Sequence, residues 1–448
     1  MLGGEAWTAT AMEIPTFRPT EEEFADFEKY LSNLTRLCHP SVGLARVIPP
    51  QSWLERVLLS EAELEKDLAR RRVSSPVRQK VEKHKEHAGA FKLVNEVVQH
   101  IMPLARYREE AARQEASAAK HLAGVDRTSF EAAAAVFWRT LGSGLAAVYG
   151  ADTRGTLFPP GLATWNLDRL PSILRLLKTE IAGVTHSYLY FGMWKSLFAA
   201  HTEDMELYSI NFLHSGAAKM WYAVPPAAAP LFEALAARLF PEEHARCAQF
   251  LRHKTFVLAP EVLAAHGVPY CCGAQRRGEF MVTFPRAYHW GFNAGPNIAE
   301  AVNFALDNWI PFGKEAEPCR CSRDSVHIDM EIFLFRYIAW LRETGRLPPM
   351  SETAAWRFEC PCGMHVCSDD PEFLWPCKPQ FQCDRCHVWV HLECHEVNTV
   401  GNVEYCYYCK QEQRKEKRLL LQQQQVDKNG AEEAAEAAQK RPKPSSTK

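Results

Sequence analysis

The sequence predicts an α+β protein with an antiparallel barrel or sandwich at its centre and a small metal-dependent unit near its C-terminus. Three observations support this. Short alternating stretches bounded by turn residues recur between 185 and 306, as in antiparallel barrels and sandwiches. Stretches with helical periodicity and capping signals precede them. Nine of the 15 cysteines lie from Cys360 onward, grouped as Cys-x-Cys and Cys-x-x-Cys pairs. At 448 residues the chain has room for two or three domains. It is 47% apolar with a net charge of −2, which excludes a global charge excess for nucleic acid and leaves only local patches. No stretch reaches the ~20 apolar residues of a membrane span, and the start of the chain lacks the basic and apolar regions of a secretory signal. Paired cysteines without such a signal point to zinc in a reducing compartment.

Residues 12–55 read as one small α/β unit. Thr20 is a helix N-cap with Glu23 at the capping-box position, followed by Phe24, Phe27, Tyr30, Leu31 and Leu34 on an amphipathic run. Leu44–Ile48 reads as a strand ended by Pro49-Pro50. Residues 56–148, dense in Glu, Lys and Arg, read as a helical linker interrupted at Pro76 and Pro103, with an amphipathic helix from Phe130 to Leu145.

Beyond Tyr149 the pattern changes to turns, a Leu-rich helix near 168–178, and then strands. His201 and Glu203, two residues apart, fall on one face of a strand. With a distant histidine they make a two-His-one-carboxylate set, which leaves metal positions open. Leu207–Leu213 and Lys219–Val224 read as a hairpin around Ser215-Gly216. Lys219 shares a face with Trp221; that face meets either solvent or an anion inside the barrel, because an unpaired buried charge is costly. Residues 230–266 read as mostly helical, and Glu279–Phe284 and Ala299–Leu306 as strands. One face of the last strand carries Ala299, Ala301, Asn303 and Ala305, which suits either a ligand cavity or a tight sheet contact.

Two groups of motifs carry a family resemblance. Ile14-Pro-Thr-Phe-Arg-Pro-Thr20, Gly43-Leu-Ala-Arg-Val-Ile-Pro-Pro50 and Trp53 resemble the JmjN domain. Tyr188-Leu-Tyr-Phe-Gly-Met-Trp194, His201-Thr-Glu-Asp204, Leu207-Tyr-Ser-Ile-Asn211, Lys219-Met-Trp-Tyr222, Phe280-Met-Val-Thr-Phe-Pro285, Tyr288-His289, Gly291-Phe-Asn293 and Asn303-Phe304 resemble JmjC motifs of histone lysine demethylases. The branch is the one acting on trimethylated histone H3 lysines. The resemblance implies a double-stranded β-helix, a jelly-roll or cupin-like fold, over 149–321, within JmjN and helical surroundings. It implies Fe(II) on His201, Glu203 and His289. It implies 2-oxoglutarate held by Tyr149, Phe198, Asn211, Lys219 and Trp221, with Lys219 supplying the cation for its remote carboxylate. It also implies a methylammonium pocket formed by Gly183, Tyr190, Glu203, Ala301 and Asn303. A zinc hydrolase is the rival metal chemistry, but its helical His-Glu-x-x-His pattern is missing. Ala301-Val302 stands where the family often has a serine–threonine pair. Trp290 stands where smaller residues are usual, and it either points outward or crowds the metal.

Cys247, His253, Cys319 and Cys321 offer three thiolates and one imidazole for a closed zinc site, although 66 positions separate the two halves. The same branch of demethylases carries a zinc of this kind. After a helical segment (322–355), residues 356–411 resemble a PHD finger. The implied cross-brace puts Cys360, Cys362, His391 and Cys394 on one zinc, and Cys383, Cys386, Cys406 and Cys409 on another. Cys367, Cys377 and His365 remain as competing donors. Trp389 matches the wall of a methyl-lysine cage, with Phe381 as a helper; a structural role for Trp389 stands equally open. Residues 412–448 form a charged, solvated tail, and Arg441-Pro-Lys-Pro is a nuclear-import hint.

The expected protein is a nuclear Fe(II)/2-oxoglutarate-dependent demethylase of methylated lysine nine, and secondarily lysine thirty-six, of histone H3. Its partners are the methylated H3 tail and chromatin. Two rivals remain: a catalytically weak JmjC/PHD chromatin-binding protein, and a JmjC protein hydroxylase.

Overall fold

Thr20 begins the first helix, Glu21–Ala25: its hydroxyl accepts from the Glu23 N–H, and the Glu23 carboxylate accepts from the Thr20 N–H. The helix stops at Asp26, whose carboxylate caps the next one, Phe27–Cys38. The structure, a computed structural model, describes residues 11–319, 321, 326–378, 380–394, 405–407, 409–420, 422 and 424. The chain divides into two units, Met1–Ile328 and Asp329–Lys448. Among the described residues no helix is long and apolar enough to cross a membrane.

Eight strands form the centre of the first unit: β1 (Tyr188–Gly192), β2 (Leu197–His201), β3 (Tyr208–Gly216), β4 (Lys219–Val224), β5 (Cys271–Gln275), β6 (Phe280–Thr283), β7 (Tyr288–Asn293) and β8 (Asn297–Phe304). They divide between two sheets. The smaller runs β5-β4-β7-β2 with Met12–Glu13 on its edge. The larger runs β1-β8-β3-β6, extended on one side by Leu44–Val47 and Thr16–Phe17 and on the other by strands from residues 77–154 and 256–258. This is the jelly-roll arrangement of a cupin-like protein, open at its ends.

Three expectations need correction. Leu207–Leu213 and Lys219–Val224 are both strands but not a hairpin. β3 pairs with β6 and β8, while β4 pairs with β5 and β7. The chain crosses between sheets at Gly216. Its φ is +91°, and a Cβ added there would stand 2.3 Å from Pro296 O, so only glycine fits. Alternation reveals a strand but not its partner.

Residues 56–148 are not a helical linker. Helices at Glu61–Leu68 and Leu104–Leu122 flank four strands, Arg72–Ser74, Val77–Lys83, Ala90–Val97 and Ile101–Pro103. The middle two form an antiparallel hairpin that joins the large sheet through Ala147–Arg154. Its outer face carries pairs such as Lys80–Glu96 at 2.5 Å, while Gln79, Phe91 and Leu93 are buried. The charged outer face is what suggested a solvated helix. The Leu-rich helix near 168–178 is instead two 3-10 turns, Leu167–Arg169 and Ile173–Leu177, with Pro171 between them.

The 12–55 unit is joined firmly to the large sheet. Leu44–Val47 pairs with β6, Phe24 stacks on Trp165 at 4.3 Å, and Trp53 packs on Phe212 and Phe280.

In the second unit, Asp329 caps the helix Met330–Glu343. Four short strands follow, ordered His365–Cys367, Arg357–Glu359, Trp389–His391 and Gln380–Gln382. Residues 411–420 are helical. The Arg441 stretch lies outside the described residues.

Candidate active site and metal centres

β2 ends on His201, and its register partner on the neighbouring strand β7 is His289. The two imidazoles are therefore adjacent because the strands are. Glu203 follows His201 after the strand has ended, with extended backbone (φ −67°, ψ 149°). The donor atoms of His201, Glu203 and His289 lie within 4.8 Å of one another. Nδ1 of His201 is 2.6 Å from Ala199 O, and Nδ1 of His289 is 3.0 Å from Ala287 O. A carbonyl only accepts, so each Nδ1 carries the proton and each Nε2 keeps its lone pair for a metal.

The charge state of His201 agrees with this. Burial, with the Lys254 charge nearby, holds the His201 imidazole well below its ordinary value. Burial pushes the Glu203 carboxyl upward, but the neighbouring imidazoles, with His289 Nε2 3.3 Å from Oε1, and Lys254 keep it well below the usual range. Asn303 Nδ2 donates to Glu203 Oε2 at 3.1 Å and to Tyr208 O at 3.1 Å, tying the carboxylate to the large sheet. Two neutral imidazoles and one carboxylate suit Fe(II), and three donors leave a metal incompletely coordinated.

The triad lies on the wall of a cavity of about 660 Å³ between the two sheets. The same cavity is lined by Tyr149, Phe198, Asn211, Lys219 and Trp221, and by Gly183, Tyr190, Ala301 and Asn303. Lys219 is 2% exposed. Its ammonium donates to Tyr149 Oη at 3.2 Å and Asn293 Oδ1 at 3.1 Å, both neutral, and stands 4.7 Å from the Phe198 ring centre. Burial lowers its pKa to about 7. Asn211 Oδ1 is buried with no hydrogen-bond partner. Phe198 and Trp221 pack edge-to-face at 4.7 Å. They fit because Gly291 lies opposite both in register; a Cβ there would sit 2.6 Å from the Phe198 ring.

The small face of β8 is thus a cavity wall. Trp290 does not crowd it. Trp290 projects from the other face of β7, 1% exposed, and stacks with Tyr222 at 5.6 Å and Phe232 at 5.8 Å.

Several cavity residues escaped sequence reasoning. Gln79 bonds the N–H and C=O of Leu197, and Asn95 and Ser75 line the rim; all three belong to the segment read as a linker. Asp152 adopts φ +57° at the cavity wall, and Lys254 lies 3.8 Å from Asp204. The turn-type residues Gly150 and Asp152, which fall at an irregularity in the strand Ala147–Arg154, were the available signal for Asp152.

Among the described residues, three four-donor clusters accompany the triad. Cys247, His253, Cys319 and Cys321 converge despite their separation, with His253 Nε2 3.2 Å from Cys319 Sγ. In the second unit the groups are Cys360, Cys362, His391 and Cys394, and Cys383, Cys386, Cys406 and Cys409. Cys367, Cys377 and His365 are not among them. His391 turns Nδ1 toward Cys362 and Cys394, and its Nε2 lies 3.1 Å from Glu331 Oε2. Glu331 Oε1 accepts from the N–H groups of Cys377 and Lys378. A histidine between a metal position and a carboxylate is the usual arrangement around zinc. Glu331 had no sequence signal, since it stands 60 residues from its partner. Phe381 does not assist Trp389: Trp389 lies opposite Gln382 and Phe381 opposite Val390, so the two rings project from opposite faces.

Comparison with known proteins adds independent findings. A family described as "JmjC domain, hydroxylase" matches residues 188–304, and "jmjN domain" matches 15–49. Rat lysine-specific demethylase 4D is 39% identical over 362 residues, covering 77% of this chain and 68% of that protein. Mouse lysine-specific demethylase 4B is 39% identical over 339 residues, covering 74% of this chain and 30% of that protein. Human probable lysine-specific demethylase 4F is 40% identical over 329 residues, covering 72% and 49%. The chain therefore spans less than half the length of two of these relatives.

Proposed function

Because the chain belongs to the JmjN/JmjC family of lysine-specific demethylases, we propose that it removes N-methyl groups from tri- and dimethyl-lysine of histone H3, using Fe(II) and 2-oxoglutarate. The observation that carries this reading is that a three-donor triad and a buried lysine open on one cavity. Iron with 2-oxoglutarate and oxygen supplies hydroxylation of the N-methyl group, whose product releases formaldehyde.

The protein's residues position the reactants. His201, Glu203 and His289 would hold the metal, and their Nδ1–carbonyl bonds fix both rings. Lys219 would pair with the remote carboxylate of 2-oxoglutarate, since a buried ammonium with only neutral partners gains most from an anion. Tyr149 and Asn211 supply hydrogen bonds there. Phe198 and Trp221 exclude water. Tyr190, Gly183, Ala301 and Asn303 would surround the methylammonium, where C–H···O contacts are weakly favourable. Ala301 contributes no hydroxyl to that wall.

Lysine nine is the expected position on H3 and lysine thirty-six the second candidate, with action in the nucleus on chromatin. The four-donor clusters would hold zinc, closed and without an open position. In the second unit that reading makes a PHD finger of residues 356–411, with Trp389 offered to a methylated lysine. The test is mass spectrometry on a panel of methylated H3 peptides. Loss of methyl groups with formaldehyde release is expected. Gain of one oxygen without methyl loss would identify a protein hydroxylase, and binding without turnover a chromatin-binding protein.

A further inference from the structure

The segment that carries Glu203 is held from behind by a buried ion pair. Arg252 Nη1 donates to the backbone carbonyl of Glu203 at 3.2 Å, and Nη2 donates to Glu206 Oε1 at 2.5 Å. Thr202 Oγ1 donates to the same Glu206 oxygen at 3.3 Å. Side-chain exposures of Arg252 and Glu206 are 9% and 11%. Within the segment, Met205 and Glu206 both take left-handed backbone (φ +54° and +52°), which non-glycine residues adopt only when their surroundings hold them there. Trp309 Nε1 fixes Met205 O at 2.9 Å. Arg252 itself is anchored on the 3-10 turn Phe250–His253.

Buried ion pairs contribute little net stability compared with apolar residues of similar size. This pair's effect is therefore sought in geometry. From this we infer that Arg252, oriented by Glu206, is a positioning residue for the metal-binding carboxylate of Glu203. The inference rests on the iron reading above. Arg252 never touches the metal position; it fixes the carbonyl and hence the direction in which the Glu203 side chain leaves the chain. Both residues also line a cavity of about 520 Å³, with Arg252 Nε and Glu206 Oε2 lacking partners, so shorter side chains and water can be accommodated in variants.

The test compares native protein with Arg252→Gln, Arg252→Lys and the double variant Arg252→Met/Glu206→Leu. The double variant removes both charges of the pair together. Each is purified with its zinc content measured, the triad is stripped of iron, and Mn(II) affinity is read by electron paramagnetic resonance. Removing a group that orients a ligand lowers metal affinity about 10- to 100-fold. Arg252→Gln and the double variant should both show that loss with native zinc content and a cooperative melt, and Arg252→Lys a smaller one. The iron requirement should rise while the peptide KM stays near native. Native-like Mn(II) affinity in the folded double variant overturns the proposal. So does loss in Arg252→Gln that the double variant restores, which would trace the effect to the stranded Glu206 charge. If native protein binds no Mn(II), the triad reading itself fails and the brace falls with it; that outcome is recognised because the native control fails first.

Discussion

The two units deploy metal-binding donors differently: the first carries an open triad beside one four-donor cluster, the second two four-donor clusters. In Met1–Ile328 a broad apolar core holds two sheets in place, and three donors are displayed on a cavity wall. In Asp329–Lys448 the strands are three residues long, and two four-donor clusters accompany a small apolar core that includes Phe333, Tyr337, Phe358, Val366 and Val390. A triad is affordable only where the fold does not depend on its metal. A closed cluster is needed where little else orders the chain. On the proposed reading, metal would be a reagent at the triad and a fastener at the closed clusters, one of which, Cys247, His253, Cys319 and Cys321, lies in the first unit.

The largest expected effect breaks the comparison open. Chelation strong enough to empty the cysteine clusters should abolish the sheet of residues 357–391, while emptying the triad should leave the first unit folded. Residue-resolved hydrogen exchange on the full chain checks both. Retained protection in the finger after zinc loss would remove the contrast. Next, His201→Ala should abolish formaldehyde release with a melting curve close to native; substantial turnover would discard the triad.

Lys219→Ala should raise the 2-oxoglutarate requirement about 10- to 100-fold, the range expected for loss of a charge-assisted bond. An unchanged requirement would show that the ammonium serves no ligand. A finer effect follows from its pKa of about 7, a value set by burial. Above pH 7 the empty pocket holds a neutral amine, and an arriving carboxylate draws a proton onto it. Binding should therefore take up close to one proton at pH 8 and none well below pH 7. Calorimetry in buffers of different ionisation heat measures this. For the empty protein, burying the charged form is unfavourable. This lysine therefore opposes folding at low pH, and stability should rise as pH climbs from 7 toward the unfolded value of ~10.4. The smallest effect sharpens the other side: Glu331→Gln should weaken zinc at His391 about tenfold, read by competition with a chromophoric chelator.

Local chemistry was legible and partnership was not. His201, Glu203, His289 and Lys219 could be named because their motif matches are contiguous; alternation gave the face of Lys219, but not that of Glu203, because the strand ends at His201. The crossing of β3 and β4 into different sheets was hidden, since each strand alone looks like half of a hairpin. The hairpin at 77–97 was hidden by its charged outer face. Trp290 was ambiguous because its position beside a ligand does not reveal which face of β7 it takes; neighbouring residues on a strand always take opposite ones. Arg252 and Glu331 were invisible for a simpler reason. A residue that acts by holding another's backbone or ring carries no motif of its own.

The contact between Glu331 and His391 also has a practical meaning for dividing the chain. Counting from the first cysteine, a fragment starting near residue 356 looks self-sufficient. It would lack the helix Met330–Glu343 and with it the carboxylate that contacts His391, as well as the Arg342–Asp370 pair at 2.9 Å. A fragment starting before Asp329 keeps all of them, so limited proteolysis should spare the helix together with the finger and leave its stable product there.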